Sequence, residues 1–142
     1  MKDVLKYQHP DSDLALIFDD DDDCRVAYAY LSRGRGYIAD VWLYNHGSAP
    51  QRPEWKDGPG KMPFRNPAKF VDNTDFEPIT RLEDIEVRWP KDADGNFYAE
   101  LFLRGKLHAR LKPGDKPGEC VLALKDGPIA RILRKNEPAS QP

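Results

Sequence analysis

The side chains best equipped for chemistry in this chain are its aspartates, and Asp19, Asp20, Asp21, Asp22 and Asp23 stand in one unbroken run. Several carboxylates together are the donor set of a hard cation such as calcium. Consecutive residues at a strand end splay to opposite sides, however, and no EF-hand spacing surrounds the run. Asp92-Ala93-Asp94-Gly95-Asn96 imitates the opening of a calcium loop, yet Phe97 stands where the loop glycine belongs and Leu103 where the closing glutamate belongs. His9, His46, His108, Cys24 and Cys120 are scattered singly, with no paired spacing of the zinc type. The sequence therefore assigns no metal and no cofactor.

Catalysis finds little footing. Ser12, Ser32, Ser48 and Ser140 lie outside any G-x-S-x-G elbow, and nothing selects one Cys–His pair over another. Arg33-Gly34-Arg35-Gly36 lacks the following helix of a phosphate cradle and reads as a hairpin turn. Tyr98, Phe102, Arg104, Lys106, His108, Arg110 and Lys112 mix aromatic and basic side chains on one strand face, a recipe for single-stranded nucleic acid. Glu100 sits among them opposite Arg110, which favours a solvated sheet face. A net charge of −2 and a pI near 5.9 argue against general nucleic-acid binding.

Long-range electrostatics remains. Residues 1–23 carry eight acidic side chains against two basic ones, while residues 101–135 carry nine basic against three acidic. Five adjacent like charges add nothing to stability, but they would draw in a basic partner and quicken its association.

The elements that must position these residues read as β-strands. Leu14–Phe18, Arg25–Leu31 and Tyr37–Tyr44 form a three-strand meander, the last two strands apolar on both faces. Ile85–Trp89, Phe97–Leu103 and Leu107–Leu111 alternate cleanly, and Cys120–Lys125 and Ile129–Leu133 flank an Asp126-Gly127-Pro128 turn. Parity predicts a three-residue loop, Arg104 to Lys106, pairing Leu103 with Leu107 and Glu100 with Arg110. Residues 45–80 hold six of the thirteen prolines and cannot be a central strand. A short helix capped by Asn66 and a Thr80/Glu83 capping box are expected there.

The expected fold is mainly β: a single antiparallel, strongly curved sheet or small barrel-like sandwich of seven or eight strands, with one or two short helical turns. One domain spans 1–135, including the Pro-rich aromatic loop 45–80, and 136–142 is a flexible tail. Both cysteines are expected reduced, in a cytoplasmic chain with no secretory signal. The expected function is a small soluble acidic protein-binding module, such as an inhibitor or immunity protein neutralising a basic partner like a bacterial toxin. Asp19 to Asp23 would form its rim, and Trp42, Tyr44, Trp55 and Phe64 its anchors. A small-molecule-binding or enzymatic β-barrel with a pocket lined by Tyr28, Tyr30, Trp42 or Trp89 is the competing expectation. A self-associating structural subunit is the third.

Overall fold

The computed structural model describes residues 3–51, 65–71 and 76–134. Trp55, Phe64, much of the Pro-rich loop and the 136–142 tail lie outside them. Among the described residues the chain is mainly β, but its strands form two sheets rather than one curled sheet.

The first sheet is a four-stranded antiparallel meander of β1 (Asp3–Gln8), β2 (Leu14–Asp21), β3 (Val26–Arg33) and β4 (Gly36–Asn45). The second is five-stranded: β5 (Ile85–Arg88), β6 (Ala99–Leu103), β7 (Lys106–Leu111), β8 (Glu119–Cys120) and β9 (Arg131–Ile132). Period-2 alternation sets the faces of the meander. Leu14, Leu16 and Phe18 of β2, Ala27, Ala29 and Leu31 of β3, and Ala39 and Val41 of β4 make the buried inner face. Leu101, Leu103, Ala109 and Leu111 of the second sheet belong to the same core. The leucine, valine and phenylalanine side chains among them contribute roughly 1.5–3 kcal/mol each when fully buried.

β4 joins the two sheets. Its free edge is closed by backbone hydrogen bonds to irregular chain: Gly114 N–H donates to Ile38 O (2.9 Å), Asp40 N–H to Asp115 O (3.0 Å), Gly118 N–H to Asp40 O (2.7 Å) and Trp42 N–H to Ile129 O (2.8 Å). A strand edge that would otherwise invite pairing with another chain is thereby covered.

The β6–β7 turn corrects the parity argument. The loop has two residues, Arg104 and Gly105, both at positive φ (52° and 79°), so Leu103 pairs with Lys106. Two residues at positive φ match the twist of flanking strands, and glycine takes this conformation without strain. Parity is then restored by a bulge. Phe102 pairs with Leu107 and Leu101 with Ala109, leaving His108 as the extra residue, and Glu100 meets Arg110 as expected.

Three further expectations change. β8 and β9 pair in parallel, so Asp126-Gly127-Pro128 does not close a hairpin, and Leu122 to Lys125 are not strand. The 3-10 turn Ala68–Phe70 follows Pro67, while Asn66 is buried and receives no capping role. The 3-10 turn Leu82–Asp84 has no side-chain cap either; Glu83 pairs with Arg81 (2.7 Å) instead of with Thr80. Among the described residues no helix is long and apolar enough to cross a membrane.

Candidate functional site

The ends of β2 and β4 come together because the meander registers them in one row. Asp20 of β2 and Tyr44 of β4 both pair with Ala27 of β3, on the inner face. Neighbouring strands lie about 4.8 Å apart. A small residue at position 27 therefore lets the long Tyr44 side chain cross the middle strand. The Tyr44 hydroxyl donates to Asp20 Oδ2 and accepts from Ile79 N–H (3.2 Å). His46 Nε2 stands 2.6 Å from Asp20 Oδ1, and its Nδ1 3.7 Å from Asp22 Oδ1. The imidazole stacks on the Tyr44 ring at 5.9 Å and 15°.

The turn after β2 is built to hold this arrangement. Asp21 Oδ1 accepts the backbone N–H groups of Asp23 (2.9 Å) and Cys24 (3.0 Å), an Asx-type closure. Arg25 takes a left-handed conformation (φ 60°), and its carbonyl accepts His46 N–H (2.9 Å). The five aspartates thus have different fates. Asp20 is buried, Asp19 and Asp21 are half-buried, and Asp22 and Asp23 are exposed. Burial pushes the Asp20 carboxyl above the ordinary range, against the lowering pull of its hydrogen bonds from Tyr44 and His46. Burial and the charges of Asp21 and Asp20 also raise Asp19. The Tyr44 hydroxyl is pushed up by burial and by Asp20.

The outer face of the same sheet carries an aromatic ladder. Tyr28 and Tyr30 stack at 6.1 Å, and Tyr30 and Tyr37 at 5.0 Å, both pairs at 15°. Across the strands Asp19 pairs with Tyr28, and Asp40 with Tyr30, so two carboxylates border the ladder. Asp40 feels the nearby charge of Lys116, while Asp19 forms no ion pair among the described residues. Tyr28 is buried, Tyr30 is partly covered and Tyr37 is 57% exposed. Burial, followed by Asp19 and Asp40, drives the Tyr30 hydroxyl up.

Two of the expected anchors fall elsewhere. Trp42 is 1% exposed and Tyr44 0%, so neither can meet a partner without opening the sheet. Trp42 Nε1–H donates to Asn45 Oδ1 (2.9 Å), and Asn45 clasps the backbone of Asn66 through bonds of 2.8 and 2.9 Å. This ties the Pro-rich connection to β4. The aromatic-basic strand face dissolves too: Tyr98, His108 and Arg110 are buried. Arg110 lies between Glu100 (3.2 Å) and Glu119 (3.0 Å). Cys24 is half-buried and Cys120 buried, with no disulfide between them, and burial pushes Cys120 up to about 12.

At the far end of the meander a half-open cleft of about 570 Å³ is lined by Ser12, Asp13, Arg33, Asp92, Phe97 and Lys112, among others. Its charges are largely spoken for. Asp92 Oδ1 accepts Asp94 and Asn96 N–H (2.9 Å each), and Arg33 faces Asp13 at 3.7 Å. The cleft does not include Tyr28, Tyr30, Trp42 or Trp89.

Sequence reasoning missed His46 and the special place of Asp20. The signal was present in parity: Leu14, Leu16 and Phe18 share the inner face, and Asp20 is the next residue on it. No protein-family model, no curated protein and no solved structure matches this chain.

Proposed function

We propose that this chain is a small acidic protein-binding module, of the kind an inhibitor or immunity protein uses to neutralise a basic partner such as a bacterial toxin. The acidic edge of the first sheet and its outer aromatic ladder form the capturing surface. The observation that carries this reading is the exposed Tyr37 stacked on the half-covered Tyr30, with Asp40 across from Tyr30 and Asp19 across from Tyr28 on the same face. A lysine or arginine side chain laid on such rings gains cation–π attraction of about 0.5–2 kcal/mol, and carboxylates beside the ring add to it. Asp19 is held above its ordinary pKa by burial and by like charge, and an incoming cation would relieve that repulsion. Asp22 and Asp23 extend the negative field around the turn, where it would steer approach.

The barrel reading draws no comparable support, because the strands form two sheets and the cleft is lined away from the tyrosines. The test is affinity capture from the native cell with the wild-type chain and with Asp19→Asn/Asp23→Asn/Asp40→Asn as bait. Retention of a basic protein by the wild type, lost on the triple variant, supports the reading. Equal retention on both baits, or capture of acidic proteins only, refutes it.

A further inference from the structure

We propose that Asp20, Asp22 and His46 form a binding site for a divalent first-row transition-metal ion such as Zn²⁺. One donor atom from each lies within 4.8 Å of the other two; donors held about 2.1 Å from a tetrahedral ion stand roughly 3.5 Å apart, so closing the site takes a shift of about 1 Å. The donors come from two places in the chain, the β2 end and the β4 end. That is why the sequence, read by spacing, assigns no metal. Asp20 lies near the end of β2, Asp22 stands in the turn that follows it, and the meander brings His46 to both.

The site differs from a solvated acidic turn in three ways. Its first carboxylate is in the core: the Asp20 side chain has 0% exposure, and no lysine or arginine among the described residues pairs with it. Its second donor is an imidazole whose two nitrogens both face carboxylates, at 2.6 Å and 3.7 Å. One nitrogen with two carboxylate oxygens suits a transition ion better than Ca²⁺ or Mg²⁺, which favour all-oxygen shells. Its third mark is an outer support. Tyr44 O–H pins Asp20 Oδ2 and is itself held by Ile79 N–H, so Oδ1, which faces His46 Nε2 at 2.6 Å, is the oxygen an ion would take. The imidazole is fixed by its stack on Tyr44 and by the bond from His46 N–H to Arg25 O. Such outer partners set ligand orientation in metal sites. The exposed Asp22, 46% accessible, closes the triad by side-chain rotation, and the ion takes the place of the direct Nε2 to Oδ1 contact.

The test uses the full chain with Zn²⁺ and Co²⁺, and with Ca²⁺ and Mg²⁺ for comparison, against His46→Asn and Asp22→Asn. Calorimetric titration is expected to show one equivalent of Zn²⁺ bound, with affinity at least tenfold weaker in each variant. Co²⁺ should give visible bands unlike those of the aquo ion, lost in H46N. Asp22 is exposed, so D22N keeps the test valid if H46N fails to fold. No saturable Zn²⁺ binding, binding retained in full by the variants, or an aquo-like Co²⁺ spectrum would overturn the proposal. Because the partner-binding variant leaves Asp20, Asp22 and His46 intact, the two readings fail independently.

Discussion

Acid should unfold this protein partly through one buried histidine. The bulge in β4 leaves residue 43 outside the ladder between the Ala27–Tyr44 and Tyr28–Trp42 pairs, so the Leu43 carbonyl needs other donors. His108, the bulged residue of β7, donates from Nε2 (2.7 Å), and the Cys120 thiol adds a second bond (3.4 Å). The ring also faces Phe76 (4.9 Å) and the Tyr44 edge (6.3 Å). Burial, with the Arg104 charge as a lesser cause, lowers the His108 pKa from 6.5 to about 4, while the Leu43 bond opposes the shift. The unfolded chain therefore binds this proton first. Between pH 6.5 and 4 it holds more protons than the folded chain, so stability is lost as pH falls through that window. At 1.36 kcal/mol per pKa unit, the full displacement is worth about 3 kcal/mol below pH 4. The perturbation is His108→Gln, which retains an N–H donor but cannot titrate. Urea unfolding of both proteins from pH 7 to pH 4 gives the difference, and carboxylate titrations common to both cancel. The wild type should lose about 3 kcal/mol relative to H108Q across the window. A stability difference that does not change with pH, or an NMR titration of His108 centred near its ordinary value, would refute the reasoning.

Other outcomes follow from the packing. Arg110→Ala removes the only cation bonded between Glu100 and Glu119 among the described residues. Leaving these two half-buried carboxylates unpaired should cost up to about 3 kcal/mol in urea unfolding. Gly118→Ala would set a Cβ 2.6 Å from Arg110 O and 3.4 Å from Leu111 Cγ. Thermal unfolding should register a loss of about 1–3 kcal/mol. Tyr37→Ala, at an exposed ladder end, should change stability by under about 0.5 kcal/mol. It should still weaken capture of the basic partner by about 1 kcal/mol in equilibrium titration.

Much of the meander was legible because apolar alternation and turn residues agree there. The expected Leu14–Phe18, Arg25–Leu31 and Tyr37–Tyr44 segments fall within or one residue beside β2, β3 and β4. β1 escaped because only Leu5 and Tyr7 of that edge strand pack on the core, while Val4 is 67% exposed. The parallel β8–β9 pairing was hidden because an Asp-Gly-Pro turn says only that the chain bends. What decides the pairing is long-range: Arg131 N–H reaches Gly118 O (2.8 Å) and Leu124 N–H reaches Phe70 O (2.9 Å). The Glu100–Arg110 pair was readable from charge and survived a wrong loop length, since the His108 bulge compensates for the shorter turn. In the candidate site, five identical aspartates mask one another, and only the register through Ala27 singles out Asp20. Trp42 and Tyr44 looked like anchors because large aromatics serve cores and interfaces alike; their burial settles which.

The central claim is that negative charge beside an aromatic ladder captures a basic partner, and the association rate of the purified partner measures it most directly. Stopped-flow mixing across ionic strength should give a wild-type rate that falls steeply with salt. D19N/D23N/D40N should be slower by roughly tenfold at low salt and nearly flat thereafter. A wild-type rate indifferent to salt, or a variant that follows the same curve, would contradict the account.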